Sequence, residues 1–165
     1  MNTLTQPLRE EHKELIPHIE KILEVADSIP DAPLEQIRDG IHEVYEFLAY
    51  HLIPHAQAED AALYPAVQKV LGSVESTRTM SRDHVEVVDY TEELGQLEKD
   101  LSPRNFKTLQ RVLYGVYALV KVHFAKEEEV YLPILEERLT EEEAAKMFEA
   151  MEDAAGHPKS AIRMH

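Results

Sequence analysis

The sequence feature that most constrains the fold of this chain is a His-x-x-x-Glu motif that occurs twice, each copy followed at the same distance by a proline. The two copies are His55 to Glu59 with Pro65, and His123 to Glu127 with Pro133. Residues four apart in an α-helix lie on one face, so each copy aims an imidazole and a carboxylate at the same point. This geometry is typical of metal ligands carried on helices.

A lone histidine precedes each copy of the motif on a helical segment of its own, with an acidic residue directly before it. These histidines are His12, after Glu11, and His84, after Asp83. Both share a helix face with apolar residues, which places them on the inward sides of their helices. The histidines and glutamates of the two motif copies also share a helix face with apolar residues. Four histidines and two glutamates are therefore expected to point inward.

Two inward glutamates need compensation, because burying a carboxylate costs several kcal/mol unless a partner balances its charge. No lysine or arginine shares the inward faces. The compensating cation is therefore expected to come from outside the chain. The chain has no cysteine, which excludes thiolate zinc sites, and a structural zinc takes only four ligands, so two metal ions fit better than one zinc.

We predict that the inward residues divide between two ions. One ion is bound by His12 and His55, the other by His84 and His123, and both are bridged by Glu59 and Glu127. Each ion keeps open positions for water, an oxo bridge or a small ligand. Imidazole combined with carboxylate suits iron, and manganese and zinc stay open on ligand type.

Helix signals predict an all-α chain. A lone histidine followed by the motif occurs once in residues 3–71 and again in residues 75–137, so we interpret the chain as an internal duplication. Short connections between the four long helical segments predict an antiparallel up-down-up-down four-helix bundle over residues 1–139. Residues 140–165 are expected to hold a short fifth helix, which the capping box at Thr140 to Glu143 opens, and a loose tail that includes Pro158.

Prolines and serines mark the other helix boundaries. Pro7 and Pro33 open the first two helices, Ser73 to Ser76 supplies caps for the third, and Ser102 with Pro103 opens the fourth. Other prolines lie inside or near the ends of the helical patterns and are expected to kink them: Pro17, Pro54, Pro65 and Pro133. Pro54, directly before His55, either re-aims that ligand or marks an irregularity without a functional purpose.

Composition excludes several classes of protein. Without cysteine, the chain forms no disulfide, iron-sulfur cluster or cysteine nucleophile. Its formal net charge of -15 disfavours nucleic acid and anionic membrane surfaces as partners. The most apolar stretch, residues 112–122, is too short to span a bilayer, and the first residues lack a signal-peptide pattern. We therefore expect a cytoplasmic protein.

The chain resembles the hemerythrin family, specifically its HHE cation-binding domains, over residues 3–137. The resemblance lies in His12 of Glu-Glu-His-Lys-Glu-Leu, His55 and Glu59 of His-Ala-Gln-Ala-Glu-Asp, His84 of Arg-Asp-His-Val-Glu, and His123 and Glu127 of His-Phe-Ala-Lys-Glu-Glu. A ferritin-type bundle would carry Glu-x-x-His pairs, and none occurs. The resemblance implies a non-haem di-iron centre, with a bridging oxo or hydroxo group, that meets dioxygen, nitric oxide or peroxide.

One departure from the oxygen-carrying hemerythrins concerns Val88, which stands where those proteins have an additional histidine. The more symmetric centre that remains favours sensing, peroxide or nitric oxide chemistry, or iron handling over reversible oxygen carriage. Our leading hypothesis is a di-iron protein that binds, and could turn over, a small oxidant. The alternative is a non-enzymatic iron or oxygen sensor or an iron-handling module. Repair of iron-sulfur centres is disfavoured because the chain lacks a cysteine-bearing segment.

His51 complicates the ligand prediction because it lies one helical turn before His55, on the same predicted helix face. It could be a fifth histidine ligand, although a packed histidine, or one that orients a ligand or water, is favoured. The remaining histidines are interpreted as lying away from the ligand faces or in the tail: His18, His42, His157 and His165. Packing roles are favoured for four tyrosines: Tyr45, Tyr50, Tyr114 and Tyr117.

Overall fold

The computed structural model describes residues 3–156, and all regular structure within that range is helical, which confirms the all-α class. Five helices follow one another: α1 at Gln6–Ser28, α2 at 34–71, α3 at Arg78–Lys99, α4 at 106–138 and α5 at Glu141–Gly156. Short 3-10 turns, Val74–Thr77 and Pro103–Asn105, precede α3 and α4. Pro158, His157 and His165 lie outside the described residues.

Three helix starts follow the residues that predicted them, whereas Ser73 and Pro103 open the 3-10 turns that precede α3 and α4. Pro7 lies in the first turn of α1, and Pro33 directly precedes Leu34, the first residue of α2. At the start of α5, the Thr140 N–H donates to Glu143 Oε2 at 3.0 Å, and the Glu143 N–H donates to Thr140 Oγ1 at 3.2 Å. This reciprocal pair is the predicted capping box.

Helices α2 and α4 contain π-helical turns but remain continuous. The turns are Leu48–Leu52 and Glu59–Leu63 in α2 and Glu127–Tyr131 in α4. In such a turn, a backbone N–H bonds to the carbonyl five residues earlier instead of four, as Tyr64 N–H does to the Glu59 carbonyl. Each turn therefore contains one more residue than an α-helical turn.

A proline follows each π turn at the same spacing, two positions after its last residue: Pro54, Pro65 and Pro133. A proline lacks the backbone N–H, and its ring clashes with the carbonyl four residues earlier. Widening the preceding turn by one residue relieves that clash, so the helix continues. Pro17, in contrast, lies within α1 without a π turn.

The helices pack around two hydrophobic clusters. Helix α1 contacts α2 and α4, and α3 contacts the same two helices. The larger cluster includes Ile19, Ile41, Val87 and Val116, and the smaller one includes Leu8, Leu63, Met80 and Leu132. Helix α5 packs across residues 53–63 of α2 and adds Met147 and Met151 to the smaller cluster.

The predicted ligands lie between these two clusters. In α1, for example, Leu8 belongs to the smaller cluster and Ile19 to the larger one, with His12 between them in the chain. Apolar side chains therefore separate this level of the bundle from solvent on both sides. Among the residues described, no helix is long and apolar enough to cross a bilayer.

Candidate metal centre

All predicted metal ligands lie together in one buried group, here called the central cluster: His12, His55, Glu59, His84, His123 and Glu127. Glu59 and Glu127 are fully buried, and His84, the most exposed member, is 8% exposed. Each histidine comes from a different long helix, and each glutamate begins a π turn. The fold thus brings together all the residues chosen from the sequence, and their role as ligands stays a prediction.

Glu59 faces the histidines of all four helices. Its Oε1 lies 2.5 Å from His55 Nε2 and 3.8 Å from His12 Nε2. Its Oε2 lies 3.1 Å from His84 Nε2 and 3.6 Å from His123 Nε2. We call the pair His12 and His55 the first half-site and the pair His84 and His123 the second half-site. Glu59 is a potential metal ligand in both.

Glu127 also reaches both half-sites, though through a single oxygen. Its Oε1 lies 3.2 Å from His123 Nε2 and 3.8 Å from His12 Nε2. The shortest contacts of Glu59 are made to one histidine of each half-site, so Glu59 has the stronger bridging geometry. Carboxylates that span two ions hold them close together, as in metal pairs that share ligands.

Four buried atoms of the central cluster have no hydrogen-bond partner within residues 3–156: His12 Nε2, His55 Nε2, Glu59 Oε1 and Glu127 Oε1. His55 Nε2 and Glu59 Oε1 are close, but their geometry is not that of a hydrogen bond. A buried polar atom left unpaired costs about 1–3 kcal/mol. A metal ion bound in each half-site would satisfy these atoms, so the residues present fit metal binding.

Each histidine of the central cluster bonds through Nδ1 to a carboxylate on another helix, at 2.7 to 2.9 Å. The pairs are His12 with Glu128, His55 with Glu11, His84 with Asp60, and His123 with Asp83. We call these four acids the outer carboxylates. Because an ionised carboxylate only accepts, the histidine Nδ1–H must donate, which leaves Nε2 free as a lone-pair donor to a metal.

The outer carboxylates form a closed ring around the bundle. Helix α1 supplies the acid for α2, α2 for α3, α3 for α4, and α4 for α1. Each acid is adjacent in sequence to a residue of the central cluster. One short segment of each helix therefore supplies a candidate ligand and also the acid that orients the histidine of another helix. The ring therefore couples the positions of the four long helices.

Two outer carboxylates carry cationic partners. Arg9 forms an ion pair with Glu128, and Lys126 Nζ lies 2.6 Å from Asp83 Oδ2. Over residues 3–156, no lysine or arginine pairs with Glu11 or Asp60. Each half-site thus has one histidine whose acid is paired with a cation and one whose acid is not.

The electrostatics of the central cluster favour positive charge. Burial by itself lowers the pKa of a histidine, yet facing carboxylates raise the pKa of His12, of His55 to about 10, of His84 to about 9 and of His123 to about 11. Although burial opposes it, the surrounding histidines hold the pKa of Glu59 well below its usual range. These shifts favour protonated imidazoles when no metal is bound, so metal ions would compete with protons for the Nε2 atoms.

Tyr64 is the buried group that sequence reasoning missed. Its hydroxyl lies 3.1 Å from His123 Nε2, 3.3 Å from His84 Nε2 and 3.2 Å from Glu59 Oε2. Tyr64 follows Glu59 by five residues, which puts it off the ligand face of a regular α-helix but on that face across a π turn. Pro65, directly after it, is the sequence signal that could have revealed the π turn.

The prediction that His51 shares the face of His55 is wrong. His51 is exposed, and its ring lies 6.5 Å from that of Phe47. The π turn Leu48–Leu52 adds a residue to the turn that contains His51, which rotates its side chain away from the central cluster. His51 is therefore not placed to bind the metal or to move protons at it.

Within the described residues, the other histidines and tyrosines considered in the sequence analysis lie away from the central cluster, as predicted. His18 and His42 are exposed, and His42 bonds to Glu98 at 2.7 Å. Tyr114 donates to Asp27 at 2.6 Å and Tyr117 to Glu20 at 3.2 Å, away from the central cluster. The remaining three side chains lie on the outside or against the larger hydrophobic cluster: Tyr45, Tyr50 and Val88.

A small cavity of about 20 Å³ adjoins the central cluster. Its apolar walls come from Leu52, Val87, Val120 and Phe124, together with cluster residues from both half-sites. Phe124 also stacks on His12, with ring centres 4.3 Å apart. This volume admits about one molecule the size of water, so the cavity selects for very small ligands.

Comparison with known proteins gives one match. A family model described as the Hemerythrin HHE cation binding domain matches residues 3–135. No curated protein and no solved structure matches the chain. The matched range agrees closely with the range 3–137 inferred from the sequence motifs.

Proposed function

Because this chain belongs to the hemerythrin HHE cation-binding family, we propose that it is a non-haem di-iron protein that binds dioxygen, peroxide or nitric oxide. The observation that carries the proposal is the central cluster, in which buried nitrogen and oxygen atoms face one another without hydrogen-bond partners. Imidazole and carboxylate together form a donor set that suits iron. An oxo or hydroxo bridge would complete the pair of ions.

In this proposal, His12 and His55 hold one iron and His84 and His123 the other. Glu59 bridges the two, supported by its short distances of 2.5 and 3.1 Å to one histidine of each half-site. Glu127 is the second bridge. We further propose that the four long helices form an antiparallel up-down-up-down bundle, which the short connections between them and their mutual contacts support.

The protein contributes orientation and exclusion of water to this chemistry. The outer carboxylates fix the histidine tautomers so that every Nε2 faces inward. The apolar cavity keeps bulk water out and restricts the ligand to a few atoms. When bound, two adjacent irons can take up or release electrons in the presence of a small oxidant.

Peroxide decomposition is the enzymatic form of the proposal. Such turnover needs groups that exchange protons with solvent, and His51 is not placed for this. Glu11 and Asp60 reach the surface and bond to His55 and His84, which makes them the best proton carriers near the centre.

A sensor or iron-handling module is the second candidate function. It is favoured by the contact of α5 with residues 53–63, because this segment of α2 contains both His55 and Glu59. A change in metal occupancy that shifted this segment would be passed directly to α5. The sensor hypothesis requires only binding, whereas the enzyme hypothesis requires turnover.

The test is to load the protein with iron, count iron per chain, and record visible spectra before and after adding peroxide, dioxygen or nitric oxide. We expect two irons, a spectrum that changes with at least one of these ligands, and loss of iron in His84→Gln but not in the exposed control His42→Gln. Rapid oxygen evolution from peroxide would favour the enzyme over the sensor. An iron-free, colourless wild-type protein would refute the di-iron proposal.

A further inference from the structure

We propose that Tyr64 is an additional metal ligand, whose phenol oxygen binds the ion of the second half-site and makes the two ions inequivalent. This inference rests on the di-iron centre proposed above. Tyr64 is 1% exposed, and its hydroxyl lies among the inward atoms of the second half-site. Its ring also stacks on His84, with centres 5.4 Å apart and planes 18° apart.

The hydroxyl oxygen of Tyr64 and its three nearest neighbours in the central cluster form a tetrahedron. Its hydroxyl oxygen lies 3.3 Å from His84 Nε2, 3.1 Å from His123 Nε2 and 3.2 Å from Glu59 Oε2. The other three atoms lie 3.0, 3.1 and 3.6 Å from one another. All six edges of the tetrahedron therefore fall within 3.0 to 3.6 Å.

These distances match those between ligands of a single metal ion. A tetrahedron with edges of about 3.2 Å has its centre about 2.0 Å from each corner, which is the length of a metal–nitrogen or metal–oxygen bond. Hydrogen bonding alone accounts less well for this arrangement, because the single hydroxyl proton of Tyr64 faces four nitrogen and oxygen atoms within 3.5 Å, the fourth being Glu127 Oε2.

Among the described residues, the first half-site has no oxygen equivalent to the hydroxyl of Tyr64, although Glu127 reaches it as it does the second half-site. Leu132 occupies the position equivalent to Tyr64, with its backbone N–H bonded to the Glu127 carbonyl across the π turn. The ring that stacks on His12 is the apolar Phe124. The ion of the first half-site is thus left with more open positions, and it is the one we expect to bind the small oxidant.

Phenolate ligation has a spectroscopic consequence. A phenolate is a hard anionic oxygen donor, so it favours ferric over ferrous iron and gives a charge-transfer band in visible light. Its proton would leave together with those that the ions displace from the histidine Nε2 atoms, as is general for metal sites. Neither consequence arises if Tyr64 only packs against the centre.

The experiment is resonance Raman spectroscopy on iron-loaded wild type, Tyr64→Phe and the control Tyr131→Phe, with iron counted in each sample. Tyr131 belongs to the π turn of α4, and its hydroxyl donates to the Ser76 carbonyl at 2.9 Å rather than to the central cluster. We expect enhanced phenolate ring modes in wild type and Tyr131→Phe, and their loss in Tyr64→Phe with two irons retained.

Two outcomes would overturn this inference alone: two irons in wild type without phenolate modes, or modes that persist in Tyr64→Phe. Because the wild-type spectrum decides by itself whether a phenolate is bound, poor folding of a variant would not rescue the proposal. Wild-type protein that binds no iron would overturn the proposed function and this inference together.

Discussion

The two half-sites are built from the same sequence pattern, yet they surround their histidines with different groups. In each, a lone histidine and a motif histidine face Glu59, and a π turn begins at the motif glutamate. Five residues after that glutamate, the first motif copy has Tyr64 and the second has Leu132. The π turn brings this position to the centre, so one residue there distinguishes the two half-sites.

Charge outside the centre does not distinguish them. Each half-site has one outer carboxylate paired with a cation, through Arg9 or Lys126, and one without such a partner in the described range. The comparison teaches that a ligand frame repeated in both half-sites can acquire two different environments through the neighbouring residue five positions after the motif glutamate.

The largest expected effect is that of Glu59→Gln, which removes the carboxylate common to both half-sites. The substitution keeps the side-chain volume but replaces one oxygen by an amide that cannot bridge two cations. Both ions should be lost, with affinity reduced by more than the roughly 10–100-fold typical of an outer partner. Iron counting checks this against Glu129→Gln, an exposed residue of α4. Retention of one full iron would mean that Glu59 serves only one half-site.

Metal removal should make the stability of the folded protein fall as pH rises. The raised pKa values of about 10 for His55 and about 11 for His123 mean that the folded, metal-free protein holds protons that the unfolded chain releases near pH 6.5. The contribution of these protons to the free energy of unfolding is complete below pH 6.5. It is lost as pH rises toward the folded pKa values, by about 1.4 kcal/mol per proton and pH unit.

Thermal unfolding at pH 7 and pH 9, with chelator or with iron, measures this difference. We expect the melting temperature of the metal-free protein to fall between the two pH values, while stabilisation by iron grows because fewer protons compete for the Nε2 atoms. A metal-free protein that became more stable at pH 9 would contradict the charge assignment of the cluster.

Substitution of an outer carboxylate should have a smaller effect, confined to the metal affinity of one half-site. Glu11→Gln should weaken the ion of the first half-site through His55, and Asp83→Asn that of the second through His123, each by about 10–100-fold. Iron titration of both variants, with exposed Glu14→Gln as the control, should show one tight and one weakened site. Equal loss of both ions in either variant would show that the half-sites do not act separately.

His51→Ala should have the smallest effect. His51 is exposed and separated from the ligand face by a π turn, so iron content and visible spectrum should match those of wild type. A changed spectrum would place His51 closer to the centre than its position in the structure and would add a further difference between the half-sites.

Helical periodicity, together with capping and proline signals, was sufficient to identify the six residues of the central cluster and the five helices. It failed for Tyr64 and His51 for one physical reason: each lies in or next to a π turn, where the spacing of residues on one face changes. The acids before His12 and His84 were visible in the sequence. Their partners were not, because Glu11 and Asp83 bond to histidines of other helices and no single-helix pattern encodes such pairs.

The most direct test of the central claim is a Mössbauer spectrum of protein loaded with ⁵⁷Fe in the oxidised state. A di-iron centre with inequivalent half-sites predicts two quadrupole doublets of equal area, without magnetic splitting at low temperature because the two ferric ions couple. A magnetically split spectrum of isolated ferric ions would contradict the account, since it would mean that the central cluster does not hold a pair of irons.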